Sequence, residues 1–181
     1  MSDVGPEFDL TRICDVSRET IQSLRVYANL LEKWNKTINL VSKSTINHMW
    51  ERHFLDSAQL WPHIPENAKT LVDIGSGAGF AGLVLAIIGK EKNPNLRVVL
   101  IESDTRKCAF MRNVSRETNI NVEIITKRIE EVDDLKADVV TARALATVSQ
   151  LLDYSKNILK KKGICLFLKG DACASELIEA K

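Results

Sequence analysis

The sequence predicts an α/β protein, a mostly parallel, doubly wound sheet with helices on both faces, preceded by a helical extension. Three observations predict it. From residue 70 onward, short apolar runs alternate with segments of helical length, the pattern of a parallel sheet built from strand–helix–strand units. The run Leu71-Val72-Asp73-Ile74 opens into Gly75, Gly77 and Gly79 at alternate positions and passes into an apolar, helix-compatible stretch, Leu83 to Ile88. A second apolar run, Arg97 to Ile101, again ends in an acid, Glu102.

In chain order, Asp9 to about Val16 reads as a short helix. Ser17 is a candidate N-cap, with Glu19 in the first turn, for a longer helix whose apolar face is Ile21, Leu24, Ala28 and Leu31. The period is lost over Trp34 to Leu40, which reads as a helix end and an ordered loop. A third helix is expected from about Thr45 to Leu60, ending before Trp61-Pro62. Pro62 and Pro65 mark a boundary, so residues 1–66 are expected to form a helical extension packing on a core of residues 67–181. In the core, strands are expected near 70–74, 97–102, 121–125, 138–142 and 164–169. Helices are expected near 80–89, 105–118, 147–161 and from about 172, with Lys160-Lys161-Lys162 as a solvated helix C-terminus complementing the helix dipole.

The glycine turn carries the chemistry. Strand, tight turn and helix N-terminus bring bare backbone close to a nucleoside-bearing ligand, and glycine is needed where a side chain would block that approach or where φ is positive. A dinucleotide-type GxGxxG register exists at Gly77 to Gly82, but it begins late for that geometry. Read from the strand end, the pattern is Asp73-x-Gly75-x-Gly77-x-Gly79. A carboxylate there would repel a pyrophosphate, yet it suits a ligand carrying an α-ammonium and a sulfonium. Glu102, about 20 residues further on, stands where ribose hydroxyls are held by a bidentate acid; taken alone it also reads as an acid at a helix N-terminus. In a doubly wound sheet the ligand crevice lies beyond the C-terminal strand ends, where Gly75, Glu102 and Arg143 all fall.

Composition narrows the classes. At 181 residues, with 45% hydrophobic and 27% charged residues, the chain fits one ordinary globular domain with a small appendage. A net charge of +1, from 25 basic and 24 acidic residues, excludes a strongly basic nucleic-acid binder as a global property while leaving local patches open. No apolar run approaches a membrane span of roughly 18 residues, and the acidic first ten residues are unlike a signal peptide. The four cysteines, Cys14, Cys108, Cys165 and Cys173, form no CxxC pair. No zinc site or disulfide framework is expected, and a reduced, cytoplasmic protein fits. His48 and His53 are wrongly spaced for two metal ligands on one helix face, so no metal is expected.

Between Tyr27 and Gly170 the sequence resembles the RsmG (GidB) family of bacterial small-subunit ribosomal RNA methyltransferases, a family with the class I S-adenosylmethionine (AdoMet) methyltransferase fold. The resembling residues are Lys33-Trp34-Asn35-Lys36 with Asn39-Leu40, Arg52-His53-x-x-Asp56-Ser57, Asp73 to Phe80, and Glu102-Ser103-x-x-x-Lys107. They continue with Arg128-Ile129-Glu130-Glu131, Arg143-Ala144 and Leu168-Lys169-Gly170. Each piece is weak, but the ordered set is specific. A monomer is expected, and the ordered set implies AdoMet-dependent methylation of one guanine N7 in 16S ribosomal RNA, near the decoding region of the small subunit. It further implies that Gly75 and Phe80 flank the methionine and adenosine parts of the cofactor, with Glu102 on the ribose, Ile129 and Glu130 on the adenine, and Arg143 at the mouth. Ala78 and Ala81 stand where the family often has proline. Relatives continue past Gly170 through a helix and a β-hairpin, so the last hairpin is expected to be missing and the strand near 164–169 to be left as an edge.

Guanine N7 carries a lone pair and no proton, so no general base is needed and positioning dominates. Arg143, or else Arg128, is the candidate partner for the guanine edge. Lys33, Lys36, Lys43 and Arg52, with Trp34 and Trp50, form a basic–aromatic cluster suited to looped RNA, with His53 and Lys169 as further candidates for the RNA side. The bland alternative makes the tryptophans core, the lysines solvated, and Arg52–Asp56 an i,i+4 pair on a structural helix. A methyltransferase with another acceptor, a nicotinamide dehydrogenase on the same architecture, and a truncated non-catalytic remnant are the competing readings.

Overall fold

The computed structural model describes residue 10 and residues 13–170 and 173–179. Five strands, β1 (Thr70–Ile74), β2 (Arg97–Ile101), β3 (Val122–Ile125), β4 (Ala137–Arg143) and β5 (Leu159–Leu168), form one sheet in the order β3-β2-β1-β4-β5. Every pairing is parallel. The chain winds outward from β1 through β2 to β3, then crosses back to β4 on the other side of β1. That reversal opens a crevice beyond the strand ends between β1 and β4.

Before the sheet run α1 (Arg18–Asn35), α2 (Lys43–Ile46), a π-helical segment (Trp50–Leu55), α3 (Asp56–Ala58) and a 3₁₀ turn (Trp61–His63). Ser17 caps α1 by accepting the Thr20 amide. Asn35 Oδ1 accepts the Leu40 and Val41 amides at 2.9 and 3.0 Å, which orders the loop that follows. Of the first expected helix, Leu10, Ile13 and Cys14 are helical and Asp15 and Val16 are not, while Asp9, Thr11 and Arg12 lie outside the described residues. The continuous helix expected over Thr45–Leu60 is corrected: a turn at Asn47-His48 and the π segment interrupt it. The π segment carries His53 and Phe54, both buried against the core, and the wider turn serves that packing.

Among the described residues four further α-helices follow: α4 (Phe80–Lys92), α5 (Thr105–Glu117), α6 (Val148–Ser155) and α7 (Cys173–Glu179). In α4 every residue from Phe80 to Gly89 is buried, because it lies between the sheet and the N-terminal helices and has no polar face to offer. The sheet residues alternate: Leu71, Val98, Leu100 and Val139 pack with α1, α4 and α5, while Val72, Ile74, Val99, Ile101 and Val140 pack under Leu151 and Ile158.

The helix expected over 147–161 is also corrected. Its start is capped by a Thr147–Gln150 capping box, but it ends at Ser155 and the chain turns into β5 at Leu159, opposite Ala137. Lys160-Lys161-Lys162 therefore sits in a strand rather than at a helix end, and Lys160 Nζ pairs with Asp138 at 2.7 Å. Among the described residues β5 pairs on one side only, and charged side chains at such an edge oppose further strand addition.

Candidate functional site

The β1–α4 turn is built from positive-φ glycines: Gly75 at 61°, Gly77 at 56° and Gly79 at 84°. A Cβ on Gly77 would meet nothing nearer than the Gly75 carbonyl oxygen at 3.9 Å, so it would project into open space. On Gly75 it would strike Leu145 Cδ1 at 2.5 Å. The turn is tied to the neighbouring strand by Ser76 N–H donating to the Ile101 carbonyl at 3.0 Å. Gly77 N–H donates to Glu102 Oε2 at 2.8 Å, while Glu102 Oε1 accepts the Asp104 amide at 2.8 Å. The second-strand acid thus fixes the turn that it faces, and each of its oxygens retains a lone pair for a hydroxyl.

A cavity of about 510 Å³ lies above the β1/β4 crossover. It gathers Asp73, Gly75, Gly77, Phe80 and Glu102 from the β1 and β2 ends, Arg143 from β4, and His53 from the π segment. A smaller cavity of about 150 Å³ adjoins it, lined by Ile129, Glu130, Arg128 and Tyr154, with Gly75, Glu102 and Leu145 shared between the two. Ala144, at φ 49°, has the left-handed backbone that turns the chain after Arg143 and lays Leu145 over Gly75.

Asp73 is buried and accepts the Thr141 hydroxyl at 2.7 Å. Thr141 is its register partner on β4. Burial raises the Asp73 carboxyl to about 6, against the opposing pull of the Thr141 bond, the Gly82 amide and Arg143. Arg143 Nη2 donates to the Arg52 carbonyl at 2.9 Å and to His53 Nδ1. The guanidinium carbon stands 5.3 Å from the centre of the Phe80 ring, and His53 stacks on the same ring at 4.4 Å. Burial, with Arg143 and Arg52 beside it, lowers the His53 imidazole to about 4. His53 Nε2 and Arg143 Nη1 are buried and find no partner among the described residues.

Other expected residues lie elsewhere. Gly79 lines neither cavity; it starts α4, and a Cβ there would meet Leu83 at 2.5 Å. Lys33 and Lys36 are exposed at the C-terminal end of α1, outside both cavities. Arg52 is exposed, and its carbonyl holds Arg143. Lys169 lies outside both cavities, where its Nζ donates to the Ala146 carbonyl at 2.6 Å and pairs with Glu176 at 2.8 Å, which in turn accepts the Val148 amide. Sequence reasoning did not single out Leu145, Thr141, or the loop residues Val41 and Ser42 that wall the cavity beside Leu40. Thr141 carried a signal, as the one hydroxyl in an otherwise apolar stretch of strand; Leu145 carried none.

The donor set suits a zwitterionic nucleoside ligand: a buried anion at Asp73, a cation at Arg143, an acid at Glu102, and bare glycine backbone between them. Among the described residues no group of three His, Cys, Asp or Glu is placed to hold a metal ion, and no helix is long and apolar enough to cross a membrane.

Known proteins agree with this architecture. The family model described as rRNA small subunit methyltransferase G matches residues 20–181. Curated proteins of that name are similar over most of the chain. The one from Paramagnetospirillum magneticum is 53% identical over 174 residues, covering 96% of this chain and 82% of its own length. The one from Rhodospirillum centenum is 51% identical, with 92% and 74% covered. Among solved structures, a coclaurine N-methyltransferase bound to N-methylheliamine and SAH has a TM-score of 0.53 at 17% identity, covering 90% of this chain and 57% of that one. M. jannaschii TYW2 in complex with AdoMet has a TM-score of 0.52 at 22% identity, with 72% and 54% covered. The fold is that of the class I methyltransferases.

Proposed function

The chain belongs to the rRNA small subunit methyltransferase G family, and from that premise we propose that it methylates the N7 of one guanine in 16S ribosomal RNA, taking the methyl group from S-adenosyl-L-methionine. The observation that carries the reading is the convergence of Asp73, the Gly75–Ala78 turn, Glu102 and Arg143 on one cavity at the crossover of a parallel sheet.

AdoMet, when bound, supplies an electrophilic methyl group on a sulfonium. The protein's part is placement. Glu102 presents its carboxylate for ribose hydroxyls and holds the glycine turn by the Gly77 amide. Ile129 and Glu130 wall the smaller cavity, which is the proposed adenine site. Asp73 offers the negative charge for an α-ammonium. Tyr27, buried beneath Phe80 with its hydroxyl donating to the Ala78 carbonyl at 2.5 Å, stiffens the floor. Arg143 stands at the seam between cofactor and acceptor.

Neither His53, whose Nδ1 is engaged and whose imidazole stays neutral, nor the buried Asp73 is arranged as a general base. N7 needs none, because it has no proton to lose, and effective molarity supplies most of the acceleration. The exposed Lys33, Lys36 and Arg52 on the N-terminal helices and Arg128 beside the smaller cavity are the proposed phosphate contacts. The four cysteines are free thiols, which fits a cytoplasmic enzyme.

The test is transfer of labelled methyl from AdoMet to small ribosomal subunits lacking the modification, with the product mapped. A single N7-methylguanine is expected. Methyl transfer to another atom, to protein, or to nothing overturns the proposal.

A further inference from the structure

Arginine only donates hydrogen bonds, so a histidine nitrogen that receives one from Arg143 must be the bare nitrogen of a neutral ring. The remaining proton is then on Nε2. That N–H is buried, and it finds no acceptor among the described residues. Its ring is held in place from two sides, by the Arg143 guanidinium and by stacking on Phe80. An oriented, buried donor left without an acceptor costs stability, and because the residue that carries it lines the ligand cavity, it points to an acceptor that the ligand brings.

The surroundings choose the acceptor. Arg143, with Nη1 likewise unpartnered, adds a full positive charge beside the donor. Asp73, lining the same cavity, is the anion that suits an ammonium. An amino-acid terminus carries both charges on one carbon, and its ammonium toward Asp73 leaves a carboxylate for the neutral N–H and the adjacent guanidinium. A phosphate or a base oxygen of RNA would use the donor but bring no cation to Asp73.

We propose, resting on the methyltransferase reading, that His53 is a cofactor-positioning residue whose Nε2–H donates to the carboxylate of the amino-acid end of AdoMet, with Arg143 supplying the countercharge.

Titration calorimetry of the full chain with AdoMet and with decarboxylated AdoMet tests this. His53→Phe keeps a ring on Phe80 and removes both nitrogens. It is expected to weaken AdoMet about tenfold or more, while changing decarboxylated AdoMet less than about threefold. His53→Gln, which restores an N–H near the Nε2 position, is expected to recover most of the AdoMet affinity. Equal losses for both ligands in both variants overturn the inference and leave His53 as packing. Unchanged AdoMet affinity with a raised KM for the ribosomal subunit also overturns it, by giving the donor to RNA. Wild-type protein that binds neither ligand overturns the methyltransferase reading itself.

Discussion

Asp73 sits at the end of a central strand, under α4, where its charge is hard to keep. Burial lifts its carboxyl to about 6 from an ordinary 3.8. Between those two values the folded protein binds more protons than the unfolded chain, so in the ligand-free protein this residue's contribution to stability declines as pH rises through that window. Ligand binding has the opposite sign. An ammonium partner needs the ionised form, so cofactor affinity is expected to fall as pH drops below about 6, about tenfold from pH 7 to pH 5. Asp73→Asn should flatten that profile and lower affinity at neutral pH; calorimetry across pH 5–7.5 reads both. His53 titrates too low to contribute over this range.

The contact between β1 and α4 shows how an element places a site. Gly82 brings the helix against the strand so closely that a Cβ would lie 2.0 Å from Leu100 Cδ2 and 2.9 Å from Asp73 Cβ. Gly82→Ala is therefore expected to destabilise by about 1–3 kcal/mol, read as a fall in Tm of about 2–4 °C for each kcal/mol in a chain of this size, and to displace Asp73 enough to weaken the cofactor. The same logic governs the end of β4. The left-handed Ala144 separates Arg143, turned toward His53, from Leu145, laid over Gly75. Two residues flanking one left-handed position thereby line different parts of the ligand space.

Across the whole molecule, the N-terminal helices complete the cavity as well as covering α4. Tyr27 reaches the glycine turn, and His53 reaches Arg143. At the far end of α4, Glu91 accepts the Ser17 amide at 3.0 Å and the Thr20 hydroxyl at 2.7 Å, pinning the start of α1. Although burial works against it, these bonds hold the Glu91 carboxyl down at about 2 rather than 4.5. Its contribution to stability is present above about pH 4.5 and is lost as pH falls from there toward 2. Glu91→Gln is expected to lower Tm at pH 7 and to narrow the gap between the variant and wild type as acid is added, a difference that thermal melts from pH 7 to pH 3 would show.

What the sequence by itself determined is what the backbone requires locally: the strand–glycine–helix turn, the two acids at strand ends, the alternation that makes the sheet parallel, and the Ser17 cap. Such features depend on neighbours within a few residues, and the chain carries them wherever it goes. What only the tertiary structure decided depends on where distant segments meet. The stretch around His53 read as a regular helix; the fold instead winds it as a π turn and joins His53 to Arg143, 90 residues on. Nor did the sequence show that Lys169 meets Ala146 and Glu176. The three lysines from 160 to 162 read as a helix end, yet pairing with β4 drew them into a strand. Leu145 gave no sign in the sequence, because what it covers, Gly75, lies 70 residues away along the chain and is brought to it by the crossover of the sheet.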